Sequence, residues 1–406
     1  MSRRRRWQNV KGRASRVTEP RERFMSALAS AGAGLIAPFL PSPATRPPAE
    51  ILVLRLDRIG DVLMTLPAIA GLREEFPEAK VRLAVGVWSL EIARDAPVDE
   101  VLVWSAPWVG RRDEGALSVS ELLRVARSSR VPDLAIDLQG DLRAMWLMAA
   151  TRARARVGYA NTGSAALLTS IVDLDEEASC VEQNYRAIET AIGRKIPRKS
   201  FRWLSEERRT RGRNRLALGL AEAGLRERGP VVGIHPGAGR RIKEWPLERY
   251  VALGRRLVSE TGATLVVTGS AGESAKAAAL RLALPGEVLD LTGKLGLGEF
   301  AEVMSAFHGF VSGDTSAMHF ACAIGVPSVT IFGPSDPQRY FSGGDLGFQS
   351  GQKHIALSPS LWCSPCNLIR RPPQECDFAP TPECLAAVST EQVFDAIGSV
   401  LARRPR

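Results

Sequence analysis

A Gly-Asp-Thr-Ser turn at 313–316, an HPGAG loop at 235–239 and Lys243 are the residues whose types and spacing point most directly to chemistry. In GFVSGDTSAMHFACAIGVPSVTIFGP (309–334) a short apolar run precedes the turn and a helical pattern follows it, so a helix is expected to open at Thr315. The first amides of a helix have no partner within it, and those of Thr315, Ser316 and Ala317 would stand where the helix dipole favours an anion. The HPGAG loop, with Gly237 and Ala238 at its centre, adds a second stretch of approachable backbone, and Lys243 adds a cation at a neighbouring strand end. Together they suit a phosphate. The plainer alternative is that Asp314 only caps the helix. His235 opens the HPG loop and His319 lies one turn into the helix; the alternative for each is a structural histidine. His308 and His354 have no chemical companions nearby in the sequence.

Near the C-terminus Cys363, Cys366, Cys376 and Cys384 form C-x2-C-x9-C-x7-C. The first pair has metal-ligand spacing, and the set reads as a structural zinc knot, a redox-sensitive clasp or reduced thiols. Cys180 and Cys322 read as small buried residues.

These groups need elements to hold them. From Glu50 onward short apolar runs alternate with helical segments, which predicts βα units around parallel sheets. Strands are expected at 51–56, 81–86, 98–104 and 133–140, with helices at 61–76 and 143–153, and this half ends near 205. A second series follows, with a strand and then the Gly-rich loop over 230–239, strands at 263–270, 289–293, 309–313 and 327–333, and a helix at 248–262 closed by Gly262. The predicted organisation is a tail at 1–49, an N-terminal Rossmann-like unit at 50–205, a linker and helix at 206–229, a C-terminal unit at 230–387 and a closing helix at 388–406 capped by Ser389 or Thr390. Two such halves imply a cleft between them, and ligands in open α/β sheets bind at strand carboxyl ends.

With 406 residues, 45% of them hydrophobic and 24% charged, the chain has material for two packed units. Its net charge is +10, but nine arginines and Lys11 stand against only Glu19 and Glu22 in residues 1–49, so eight of those charges lie in the tail. The nearly neutral remainder, without a zinc-finger or RNP pattern, argues against nucleic-acid binding. The most apolar stretch, FMSALASAGAGLIAPFL (24–40), is rich in Ala and Gly and shorter than a spanning helix. Arginines before it and prolines after it raise the reading of a signal peptide, against which stand the thiols and a nucleotide site. The tail reads either as a solvated extension or as a segment in peripheral contact with an anionic membrane surface.

As an ordered set, LRLDRIGDVLMTLPAIAGLREEFP, IDLQGDLRA, GIHPGAGRRIKEWPLERYVAL, GSAGES and SGDTSAMHFACAIGVPSVTIFGPSDP resemble the bacterial lipopolysaccharide heptosyltransferases of glycosyltransferase family 9 over about 51–395. The resemblance implies the GT-B fold, two Rossmann-like parallel-sheet domains facing each other across a cleft. It implies a nucleotide-sugar donor, typically ADP-heptose, on the C-terminal half and a glycolipid acceptor of the lipid-A inner-core type on the N-terminal half. The enzyme would then be cytoplasmic, at most peripheral on the inner membrane face, with no metal needed for catalysis. By matching position, Lys243 in KEWP would contact the donor phosphates and Glu273 in GSAGES the ribose hydroxyls, while Asp314, Thr315, Ser316 and His319 would form the diphosphate loop. Most members have Gly where this chain has Ser316. Many carry a CSPC stretch like that at 363–366.

An inverting glycosyl transfer needs a carboxylate to take the acceptor hydroxyl proton as the anomeric carbon becomes cationic. Asp61, after Gly60 at the start of a helix, is the expected base, kept ionised by the helix N-terminus; the alternative is an N-cap. Arg55 and Arg58 flank it as candidates to hold acidic acceptor groups, and Asp137 and Gln139 end another strand on the same side. Asp57-Arg58 replaces the small hydroxyl residues usual there. Three rival readings are a related enzyme using another nucleotide sugar and acceptor, a nicotinamide-dependent dehydrogenase, and a noncatalytic membrane-associated nucleotide-binding protein. The dehydrogenase requires G-x-G-x-x-G after a first strand, and LDRIGD offers only Gly60.

Overall fold

Runs such as Ile51-Leu52-Val53-Leu54 are apolar on both faces of an extended chain, and their burial requires a sheet covered on both sides. All four are fully buried. The computed structural model describes residues 20–43, 46–109, 115–175, 177–198, 201, 203–284, 288–343, 354–366, 376 and 382–402. The chain divides into two units, Met1–Lys199 and Ser200–Arg406.

Unit 1 is a parallel sheet of six strands, β1 (Glu50–Leu54), β2 (Lys80–Val85), β3 (Glu100–Val103), β4 (Leu134–Asp137), β5 (Ala155–Gly158) and β6 (Ser170–Ile171), in the order β3-β2-β1-β4-β5-β6. Its longer helices are α1 (Pro20–Ile36), α2 (Ile59–Glu75), α3 (Val119–Ser128), α4 (Leu142–Ala150) and α5 (Cys180–Ile192). Pro67 inside α2 removes one amide from the helical ladder, and Asn184 Nδ2 of α5 donates to the nearby Met64 carbonyl at 2.9 Å. The segment expected as a tail supplies α1, whose residue Ala33 is fully buried among Leu52, Leu54, Met148 and Leu167; residues 1–19 lie outside the described residues.

Unit 2 repeats the plan with β7 (Val231–His235), β8 (Thr264–Val267), β9 (Val288–Asp290), β10 (Gly309–Gly313), β11 (Ser328–Ile331) and β12 (His354–Leu357), in the order β12-β11-β10-β7-β8-β9. Its longer helices are α6 (Glu206–Glu222), α7 (Leu247–Thr261), α8 (Ser274–Ala283), α9 (Leu297–Met304), α10 (Ser316–Ile324) and α11 (Thr390–Leu401). The segment expected to link the halves carries α6, which packs on α9 within this unit: Arg208 Nε meets Glu302 Oε1 at 2.8 Å, and a Cβ on Gly212 would lie 1.8 Å from the Glu302 carbonyl oxygen. Gly262 ends α7 at φ +65°, and Ser389 caps α11 in a capping box with Gln392. The last residues of the expected closing helix, 403–406, lie outside the described residues.

Three strands were not among those expected from the sequence: β5, the stretch Ala-Arg-Val-Gly, and with it β6 and β12. β6 has two residues, and β12 opens with His354, whose Nδ1 meets Ser328 Oγ at 2.9 Å and whose burial lowers its pKa to about 4. In each sheet the chain steps outward from a central strand and returns on its other side. Strand order therefore reverses between β1 and β4 in unit 1 and between β7 and β10 in unit 2. At such a switch point the two adjacent loops diverge and leave a crevice at the strand carboxyl ends.

Candidate active site

At the switch point of unit 1 the loop after β1 carries Arg55, Asp57 and Arg58, and the first turn of α2 beyond it carries Asp61. Arg55 is buried, with Nε 3.0 Å from Asp57 Oδ1, Nη2 3.4 Å from Asp61 Oδ1 and Nη1 donating to the Leu138 carbonyl beyond β4. Expected to meet the acceptor, it instead ties the two switch-point loops together and commits its charge to the two aspartates. Burial opposes the guanidinium charge, but Asp57 and Asp61 hold its pKa above the ordinary value. Burial pushes Asp57 up to about 7 against the pull of Arg55, and Asp61 pushes in the same direction as burial.

Asp61 lies in the first turn of α2, which begins at Ile59 with Arg58 as a cap that makes no side-chain bond. The N-cap alternative for Asp61 therefore fails; its ion-pair partner is Arg55. Exposure ranks the three carboxylates here: the Asp61 side chain is 27% exposed, Asp57 17% and Asp137 0%. Asp137, expected to line the acceptor side, instead turns inward and accepts the Gln139 amide at 2.9 Å and the Gly140 amide at 3.1 Å, holding the turn after β4. Burial raises it to about 7. Gln139 is half-buried beside it, and Arg58 is exposed.

At the switch point of unit 2, Lys243 Nζ lies 2.6 Å from Asp314 Oδ2, joining the loop after β7 to the loop after β10. Both side chains are largely buried, at 15% and 8% exposure, so the pair is a fixed feature of the crevice. The helix expected to open at Thr315 begins one residue later. Thr315, rather than Asp314, is its N-cap, and Thr315 Oγ1 accepts the Ala317 amide at 3.2 Å, so Ala317 is not an open donor. Among the described residues neither the Thr315 nor the Ser316 amide has an acceptor. His319 is buried with Nδ1 3.0 Å from Ser342 Oγ.

Glu273 accepts the Ser270 amide at 2.7 Å and the Ser270 hydroxyl at 2.8 Å, which fixes the turn after β8. A Cβ on Gly237 would stand 1.4 Å from Glu273 Oε1, so the HPGAG loop reaches this carboxylate only because residue 237 is glycine. Ala238 follows, half-buried. His235 Nδ1 meets Thr268 Oγ1 at 3.1 Å; burial lowers its pKa, with Glu273 opposing and Lys276 assisting. Lys276 is itself held by Glu244 at 2.6 Å. Thus His235, Gly237, Glu273, Lys243 and Asp314, spread over 80 residues of sequence, stand at adjacent strand ends of one sheet.

Sequence reasoning missed the partners Thr268 and Ser342, the Glu244–Lys276 pair and the part played by Asp57. Only Asp57 left a signal, the alternation of charge in Arg55-Leu56-Asp57-Arg58. The cysteines outside the site are free thiols. Burial raises Cys384 to about 12, with Cys366, Cys363 and Cys376 adding to the shift, and burial also raises Cys363. Among the described residues no group of three or more His, Cys, Asp or Glu side chains is arranged to hold a metal ion. Cys322 is buried, as expected, whereas Cys180 at the start of α5 is only partly so.

Comparison with known proteins agrees with this layout. The family model of glycosyltransferase family 9 (heptosyltransferase) matches residues 123–372. Lipooligosaccharide heptosyltransferase 2 of Haemophilus influenzae is 24% identical over 301 residues, covering 71% of this chain and 84% of that protein. Lipopolysaccharide heptosyltransferase 1 of Pseudomonas aeruginosa is 25% identical over 345 residues, covering 82% of this chain and 89% of that protein. Among solved structures, the family 9 glycosyl transferase of Veillonella parvula superposes with a TM-score of 0.69 at 22% identity, over 88% of this chain and 98% of the other. The Escherichia coli ADP-heptose LPS heptosyltransferase II does so with a TM-score of 0.66 at 20% identity, over 87% and 99%. With its two six-stranded parallel sheets of the GT-B type and a family match over more than half its length, this chain belongs to glycosyltransferase family 9, the heptosyltransferases, and is a glycosyltransferase.

Proposed function

We propose that the protein is an inverting heptosyltransferase that moves a heptose from ADP-heptose to a lipopolysaccharide-core acceptor, with unit 2 holding the donor and unit 1 supplying the base. The observation that carries the reading is the Lys243–Asp314 pair at the switch point of unit 2, next to the open N-terminus of α10. An ammonium group and directed amides at one point suit the diphosphate of a nucleotide sugar. Asp314 repels an anion and so acts by positioning Lys243, which keeps further N–H donors for phosphate oxygens. Glu273, held by Ser270 beside Gly237, is the carboxylate available to ribose hydroxyls, and His319 lines the diphosphate loop behind Ser316. The adenine and heptose parts of the reading follow the names of the relatives above.

In the reaction the acceptor oxygen bonds to the anomeric carbon as the bond from that carbon to the diphosphate breaks, and the acceptor proton passes to Asp61. Lys243 and the Thr315 and Ser316 amides neutralise the charge that grows on the departing diphosphate. Asp61 is favoured as base because it is the most exposed of the three carboxylates at its switch point and is held by Arg55. Arg58 and Gln139 are left to meet the acceptor.

Incubation with ADP-, UDP- and GDP-sugars and a de-heptosylated core acceptor tests the proposal. Transfer from ADP-heptose with inversion is expected; transfer only from another nucleotide sugar would replace the donor, and no turnover with any donor would overturn the reading.

A further inference from the structure

Helix α1 is packed the wrong way round for an ordinary surface helix. Its protein-facing side is made mostly of small and hydroxyl residues, with Ile36 packed on the core at its end: Ser26 Oγ donates to the Thr162 carbonyl at 2.6 Å, Ser30 Oγ accepts the Ser164 amide at 2.9 Å, and Ala33 is fully buried. The loop beneath it comes close enough that a Cβ on Gly163, at φ +108°, would stand 2.4 Å from Ser26 Oγ. The exit from the helix is fastened too, by Arg156 Nη1 donating to the Pro41 carbonyl at 3.0 Å.

Most of its large apolar residues lie opposite. Phe24, Leu28 and Leu35 recur at helical spacing on one face and are 64%, 53% and 76% exposed, Met25 beside them is 56% exposed, and Phe39 in the following turn is 87% exposed. A helix docked only to protein would bury these five and expose its serines. Contiguous exposed apolar surface on a domain marks an interaction site.

We infer that the outward face of α1 is a membrane-docking surface that lies in the headgroup region of an anionic phospholipid bilayer. Charge selects this occupant. The residues leading into the apolar face, 1–23, carry eight arginines and Lys11 against Glu19 and Glu22. A second copy of the chain would bring the same positive charge to the face, whereas an anionic bilayer brings the opposite one. The helix would lie on the bilayer rather than cross it: among the described residues no helix is long and apolar enough to span a membrane. Docking by α1 would hold unit 1, which carries Asp61, at a lipid surface. The inference rests on the helix itself, and vesicle binding is measured without turnover, so its failure would leave the transferase reading standing.

The test is flotation of the full chain with phosphatidylcholine vesicles containing or lacking 25% phosphatidylglycerol, at low and high salt. Binding to the anionic vesicles is expected at least tenfold above that to the neutral ones, and high salt should weaken it. A Phe24→Ser, Leu28→Ser, Leu35→Ser variant leaves Ser26, Ser30, Ala33 and Ile36, which hold α1 to the protein, in place and should bind at least tenfold more weakly, with its melting temperature and ADP affinity unchanged. If the triple variant melts early, Leu35→Asp alone, at the most exposed helical position, should still lower binding severalfold. Absence of vesicle binding by the wild type, equal binding of wild type and variants, or a wild-type dimer that the triple variant dissolves would each overturn the inference, the last by assigning the face to self-association.

Discussion

Asp61 and Lys243 carry the chemistry at the residue scale, and each has a distinguishing substitution. Asp61→Asn keeps the shape and removes the proton acceptor, so turnover should fall by about 10²–10⁴-fold while ADP affinity and melting temperature hold. Turnover within about threefold of wild type would move the base to another carboxylate, with Asp57 next by exposure. Lys243→Ala removes a cation from a largely buried pair and leaves Asp314 facing the phosphates; calorimetry should show ADP binding weaker by about ten- to a hundredfold, the worth of a charged hydrogen bond. Asp137 offers a test by pH. Burial raises its pKa to about 7 in the fold, against an ordinary value near 4, so the folded state binds the proton more tightly. Its contribution to stability is therefore complete below pH 4 and is lost as pH rises toward 7. Asp137→Asn does not titrate, so its stability should gain on that of wild type by roughly 1 kcal/mol per pH unit between pH 5 and 7 and run parallel above, as read from denaturant unfolding across pH.

Elements meet closely at two glycines, and these separate packing from function. Gly212 of α6 faces the backbone of α9, where a Cβ would stand 1.8 Å from the Glu302 carbonyl oxygen, and neither backbone can yield cheaply. Gly212→Ala should cost about 1–3 kcal/mol and lower the melting temperature of unit 2 by roughly 3–10 °C. Gly237 differs because its neighbour is the end of a flexible side chain. Gly237→Ala should push the Glu273 carboxylate out of its bonds with Ser270, weakening ADP binding severalfold with little change in melting temperature. The opposite pattern, intact binding with early melting, would make Glu273 a structural carboxylate only.

For the whole molecule, two sheets of equal plan with separate cores mean that a ligand of one need not stabilise the other. If the donor belongs to unit 2, ADP at about 100 times its dissociation constant should add close to 2.7 kcal/mol to that unit and raise its calorimetric transition by about 5–10 °C, with the transition of unit 1 unmoved. Lys243→Ala should shrink the shift. An equal shift of both transitions would show that the two units unfold together.

The sequence by itself determined the class of fold, because apolar strand runs of both-face burial, spaced by helical segments, admit only covered parallel sheets. Most strands, the caps at Ser389 and Gly262, and the grouping of Lys243 with the Gly-Asp-Thr-Ser turn were legible for the same reason: local periodicity and end signals are written in neighbouring residues. β5, β6 and β12 were not, since Ala-Arg-Val-Gly, Ser-Ile and a stretch opening on His354 do not present the unbroken apolar run that marks the other strands. Only the tertiary structure decided what each charged group faces. Arg55 and Asp137 stand at the same switch point as Asp61, and nothing in their spacing says that they turn inward, to hold two aspartates and a loop, whereas Asp61 remains partly open. Nor does spacing say which side of α1 meets protein. An amphipathic pattern marks the face of large apolar residues, but the close approach of Gly163 and the hydrogen bonds of Ser26 and Ser30 bring the other face to the protein, because small side chains let two backbones meet where large ones cannot.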